Sequence, residues 1–216
     1  MITKKLKVLL LAFFAVPILI GAVAGCAPSR DIGQNNSSKA TPLTAEELKY
    51  FNGDEFFNGE YMNIRNQFLS SLYDVPGKIN LFHLFYCGSG FEETLTEAEK
   101  TAVVAYNGWD MEPDCACTKI SRANMDAVLT KYMGLTLADT EETGLDNFTY
   151  LEEYDAYYFY SGDTNYRMDV SFLGGEREGN IFCLFYDDRF MHDGKKVLTL
   201  KEQDGTYIFV SNEKIE

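Results

Sequence analysis

Apolar and polar positions divide the chain into three stretches of different period. From Val8 to Gly25 the residues are apolar without interruption, behind a positive start at Lys4, Lys5 and Lys7. That order of basic start, apolar middle and small-residue exit is the order of a secretory signal. Residues 26–43 then carry Ser, Asn, Gln, Pro and Gly with no apolar period, the composition of a flexible tether. Folding is predicted to begin at residue 44. Thr44-Ala45-Glu46-Glu47 is a capping box with Leu43 and Leu48 at the staple positions, so a helix should run to about Phe57. Ile64, Phe68 and Leu72 continue a helical period until Asp74-Val75-Pro76-Gly77 breaks it, and INLFHLFY (79–86) reads as a short buried helix. Thr96-Glu97-Ala98-Glu99 opens a helix to about Tyr106. Ser121 caps another, in which Met125, Val128, Leu129, Tyr132 and Met133 form one apolar stripe that stops at Gly134.

After about residue 148 the period shortens to two. Tyr166, Met168, Val170 and Phe172 alternate with Arg167, Asp169 and Ser171, whereas IFCLFY (181–186) is apolar on both faces. Gly162-Asp163, Gly174-Gly175, Asp193-Gly194 and Asp204-Gly205 read as turns. The expectation is a meander of five antiparallel strands: 154–160, 166–173, 180–187, 196–203 and 206–211. A two-residue loop at Asp204-Gly205 would set Leu200 opposite Phe209. A pairing of Tyr160 with Tyr166 would set Tyr158 against Met168 and Tyr154 against Phe172. The fold class is therefore α+β, with N-terminal helices packed on a C-terminal sheet, in one domain over 44–216. Helices followed by a curved meander loosely resemble the cystatin-like folds, including the nuclear-transport-factor-2-like group. That resemblance implies architecture only, because those folds host both enzymes and binding modules.

The exit of the first apolar stretch is Val23-Ala24-Gly25-Cys26. It resembles the lipobox of bacterial lipoproteins. The resemblance covers 26 residues and implies a diacylglyceryl group on the Cys26 thiol, cleavage of residues 1–25, and a domain held on the outer face of the membrane. Two acyl chains suffice for a stable anchor, whereas one binds only marginally. The rival reading is a permanent span, which needs about 20 apolar residues; Pro17 and the Gly/Ala exit favour cleavage.

Charge narrows the partners. The chain has 19 Lys+Arg and 33 Asp+Glu. Residues 1–25 hold three lysines and no acid, so the remainder has 16 basic against 33 acidic residues, a net −17. Such a surface repels nucleic-acid phosphates and anionic headgroups. Beyond Cys26 the cysteines are Cys87, Cys115, Cys117 and Cys183; mostly free, buried thiols are expected, with room for one long-range disulfide.

Candidate chemistry is sparse. Residues 148–190 hold 13 of the 31 aromatic residues. Tyr157 and Phe159 fall on the strand face opposite Tyr158 and Tyr160, beside Arg167 and Asp169. If that face is open, these four with Trp109 form a ring-lined surface for a protein, peptide or envelope glycan. If helices cover both faces, the rings are core. Asp163-Thr164-Asn165 lacks the spacing of a calcium loop and reads as an Asx turn. Asp110, Glu112 and Asp114 precede Cys115 and Cys117, but no paired C-x₂-C knuckles exist and no metal or cofactor is assigned. His83 reads as a buried imidazole and His192 as exposed. Ser211-Asn212-Glu213-Lys214 matches S-x-x-K only formally, at a frayed terminus. No catalytic residue is assigned. The leading expectation is a lipid-anchored, non-catalytic binding domain; the alternatives are a small extracytoplasmic hydrolase or isomerase and an accessory to a membrane signalling partner.

Overall fold

A computed structural model describes residues 39–58, 63–91, 93–161, 171–187 and 194–215. Residues 1–38, Cys26 among them, lie outside these, as do Asp163-Thr164-Asn165, Tyr166, Arg167, Met168, Asp169 and His192. Among the described residues no helix is long and apolar enough to cross a membrane. The elements are β1 (Thr41–Pro42), α1 (Ala45–Asn52), α2 (Ile64–Gln67), α3 (Leu81–Phe85), α4 (Glu97–Asn107), β2 (Ala116–Ser121), α5 (Arg122–Met133), β3 (Thr149–Leu151), β4 (Ala156–Ser161), β5 (Phe172–Glu178), β6 (Ile181–Asp187), β7 (Lys195–Gln203) and β8 (Thr206–Lys214). The class is α+β, as the periods predict.

The strands form two sheets. The larger runs β1-β5-β6-β7-β8 and the smaller β2-β4-β3, both antiparallel. The C-terminal meander therefore contains β5 to β8, and its last hairpin has the expected register: Gln203 pairs with Thr206 and Leu200 with Phe209. The first predicted strand does not join it. β4 pairs instead with β2 and β3, so Tyr158 lies opposite Lys119 and Thr149, and Phe172 opposite Tyr186. Tyr154 is not in a strand at all but in a 3₁₀ turn, Glu152–Tyr154, that closes the β3–β4 hairpin with Asp155 in the left-handed region.

The helices begin where their caps direct. Both capping boxes are made: Thr44 with Glu47, and Thr96 with Glu99. The Ser121 hydroxyl accepts from the Asn124 amide, and Gly134 ends α5 at φ 70°. α1 is shorter than its pattern suggests. It stops at Gly53 because Asn52 is drawn onto β5: its amide donates to the Phe172 carbonyl at 3.0 Å, and its Oδ1 accepts from the Phe172 amide at 2.7 Å. Phe56 and Phe57 still reach the core, from a turn. The pattern Ile64-Phe68-Leu72 yields one helical turn, with Phe68 buried and Leu72 exposed. His83 is exposed on α3, contrary to expectation, because Leu81, Leu84 and Phe85 take the buried side of that short helix.

Gly174-Gly175 lies inside β5, and the turn falls at Gly179-Asn180. Gly175 is needed for close approach. A Cβ there would sit 2.6 Å from both Leu43 Cδ1 and the Cys183 carbonyl oxygen. The Leu43 amide donates to the Gly175 carbonyl at 2.9 Å, and Thr41 and Pro42 pair with Arg177 and Glu176. Strand pairing thus includes the two residues before Leu43. At the other end β8 runs to Lys214, so Ser211 and Asn212 are buried strand residues. Asn212 Oδ1 accepts from the Tyr186 hydroxyl at 2.7 Å, and its amide donates to the Ser71 carbonyl at 2.9 Å.

Two hydrophobic clusters result. The main one joins α1, α3 and α5 to the larger sheet through Phe51, Leu84, Leu129, Phe182, Leu184, Leu198 and Phe209. The smaller one, Val103, Leu151, Ala156 and Tyr158, lies between α4 and the three-stranded sheet. β4 therefore has packed residues on both faces: Tyr157 belongs to the main cluster and Tyr158 to the smaller one.

Candidate functional site

α4 is fixed to the three-stranded sheet by a buried charge. Glu99, the third helical residue, is 2 % exposed. Its Oε2 accepts from the Thr96 amide at 2.9 Å and the Thr96 hydroxyl at 2.7 Å. Its Oε1 accepts from the Tyr158 hydroxyl at 2.7 Å and pairs with Lys119 Nζ at 2.6 Å. Burial alone would raise this carboxyl. The Lys119 ammonium, the Thr96 amide, the Tyr158 hydroxyl and the Thr96 hydroxyl outweigh it and bring the pKa to about 2. Tyr158 is pushed well above the usual phenol range, by burial and then by donation to Glu99. Every strong acceptor position in the network is used internally, so it positions α4 and offers no reactive group.

A ridge of large side chains is exposed at the C-terminal end of α4, at Tyr106, and in the loop after it, at Trp109 and Met111. Tyr106 is 68 %, Trp109 39 % and Met111 77 % exposed. Gly108, in the left-handed region at φ 66°, ends the helix and turns the chain so that Trp109 packs edge-on against Tyr160, ring centres 5.6 Å apart. Tyr160 donates to Glu112 Oε1 at 3.0 Å, and Lys100 lies 3.1 Å from Glu97 and 3.7 Å from Glu112. Beside the ridge, an open cleft of about 290 Å³ is lined by Ala102, Tyr106, Tyr150, Leu151, Glu152, Glu153 and Tyr154. Tyr150 is held in place from behind. Its hydroxyl donates to Asp155 Oδ1 at 2.7 Å, Asp155 pairs with Arg122 Nε at 3.3 Å, and the Arg122 guanidinium lies 5.8 Å from the Tyr150 ring centre.

The residues singled out in the sequence are dispersed. Tyr157 is buried; its ring centre is 4.7 Å from that of Tyr150 and its hydroxyl 3.5 Å from Arg122. Phe159 is half-buried and edge-on to Phe82 at 4.8 Å. Both rings are spent on packing. Arg167, Asp169 and Cys26 lie outside the described residues. Among the described residues of that set, Trp109 alone is exposed, with Tyr160 packed against it. Tyr106 carried no legible signal: at i+7 from Glu99 it shares the stripe of Glu99 and Val103, and it is exposed only because it sits in the last turn of the helix. Tyr150 and Tyr154 carried none, because only the β3–β4 hairpin brings them to α4.

Asp110, Glu112, Asp114, Cys115 and Cys117 do not assemble a metal centre; among the described residues no three of His, Cys, Asp and Glu converge. Cys87, Cys115 and Cys117 are free thiols. Burial, against a weaker interaction with the Tyr160 hydroxyl, raises the Cys117 thiol to about 11. At pH 8 Cys117 is therefore expected to react with iodoacetamide about 100-fold more slowly than an ordinary thiol. Site-resolved peptide mass spectrometry over time checks this, and labelling at the rate of free cysteine would refute it.

No family model, curated protein or solved structure matches the chain. The reading of this face rests on its own geometry.

Proposed function

We propose that the protein is a lipid-anchored binding module on the outer face of a bacterial membrane, which engages a partner protein through the Tyr106–Trp109–Met111 ridge and the adjoining cleft. The observation that carries the binding reading is the outward display of these three side chains from one helix end, among residues otherwise polar. Tyr, Trp and Met are enriched at protein interfaces, where rigid or adaptable apolar area is gained at small entropic cost. Tyr106 sits on α4, which the Glu99 network ties to the sheet, and Trp109 is held edge-on against Tyr160, so these two rings are presented in fixed positions. The lipobox-like Val23-Ala24-Gly25-Cys26 supports the anchoring half of the proposal.

The two halves are tested separately. Mass spectrometry of the membrane-extracted protein should find Cys26 acylated and N-terminal; an unmodified Cys26, or residues 1–25 still attached, overturns anchoring. A photo-crosslinking residue at Met111 should trap a discrete protein adduct in intact cells, while one at Lys131, on α5, should not. Equal yields at both positions overturn the binding reading.

A further inference from the structure

The cleft beside the ridge has a defined electrostatic character. Tyr106, Tyr150 and Tyr154 supply its rings and Glu152 and Glu153 its charge, while no lysine or arginine lines it. Both glutamates are exposed and project from the tight turn that closes the β3–β4 hairpin. Tyrosine faces carry negative potential and attract cations, more strongly as water is excluded. Carboxylates at the rim add to the same sign. The chain already shows the arrangement internally, with Arg122 paired to Asp155 and its guanidinium 5.8 Å from the Tyr150 ring centre.

We infer that this cleft seats a lysine or arginine side chain of a basic partner polypeptide, an inference that rests on the binding reading above and specifies its partner. The volume of about 290 Å³ accommodates one long side chain rather than a folded element. Tyr106 belongs to both the cleft and the exposed helix end, so an extended polypeptide seated there has apolar area beyond the cleft that an isolated small cation would not use. A second copy of this chain is disfavoured by charge, since each copy without residues 1–25 has 16 basic against 33 acidic residues, a net −17. A neutral glycan would gain from the rings and nothing from the two carboxylates.

The test is titration calorimetry of the detergent-solubilised full chain with a deca-lysine peptide at low salt. Deca-glutamate and a neutral N-acetylglucosamine tetramer serve as comparators. Deca-lysine alone should bind. E152Q/E153Q should weaken it about tenfold, and Tyr106→Leu about threefold, whereas Tyr106→Phe, which keeps the ring, should leave it unchanged. A charge-matched control on the β7–β8 hairpin, E202Q/D204N, should have under a twofold effect. Equal loss from both neutralised pairs would mean that net charge alone attracts the peptide, and the inference falls. Preference for the sugar, or no binding of deca-lysine while the Met111 crosslink persists, overturns the cationic partner and leaves the binding reading intact. No binding together with no crosslink removes both.

Discussion

Replacing Glu99 by alanine is expected to destabilise the fold by about 3–5 kcal/mol, the cost of removing one partner from a buried charged network. Lys119 loses its carboxylate, the Tyr158 hydroxyl loses its acceptor inside the smaller cluster, and the Thr96 amide and hydroxyl lose theirs at the start of α4. Urea unfolding of the wild type and the variant measures the loss; a difference under about 1 kcal/mol would rank this network with ordinary surface ion pairs. The same carboxyl sets an acid limit. Its folded pKa of about 2 lies below its ordinary 4.5, so the stabilisation is fully present above pH 4.5. It is lost as pH falls from there through about 2, and amounts to about 3 kcal/mol. Glu99→Gln should flatten the stability–pH curve in that window and leave the slope above pH 5 unchanged. Identical acid limbs in the two proteins would sink the assignment.

The second large effect is expected at Phe209. Its ring is fully buried, stacked on Phe68 at 4.3 Å and edge-on to Phe57 and Tyr132 at 6.0 and 6.3 Å. It is the point where β8 meets α2 and α5. Phe209→Ala leaves a void that three other rings line but cannot fill, at a cost of about 3–5 kcal/mol. Calorimetry should show the Tm lowered by roughly 10 °C. Phe209→Leu should recover more than half of that. Recovery by neither shape nor volume would mean that the aromatic stack is not what fixes this strand.

What could be read along the chain was what short-range chemistry decides. Thr44, Thr96 and Ser121 cap the helices they were expected to cap, because a hydroxyl and an amide three residues on need nothing from elsewhere. Asp204-Gly205 set the Leu200–Phe209 register for the same reason. Errors arose where tertiary contacts took over. Two adjacent glycines signal a turn, yet Gly175 is a flat place on a strand that lets Leu43 in. ACTKIS gives little sign of β2 because it follows an acidic run, although Thr118 and Ile120 sit on one side of it. Once β2 claims one edge of β4, that strand leaves the meander and its rings are covered on both sides. Tyr157 and Phe159 changed from candidate contacts to packing for that reason. Of the site, Trp109 was legible as an isolated large ring in a polar loop; the tyrosine cleft was not, since it combines residues some 45 positions apart.

The seat of Leu43 against Gly175 also has a mechanical side. If the body is moored to a bilayer through Cys26, any tug along the leash arrives first at Thr41 and Pro42, a two-residue strip on the outer border of the larger sheet. Those few bonds act as a sacrificial fuse. Under such a load they would part before the longer ladders of β5 to β8.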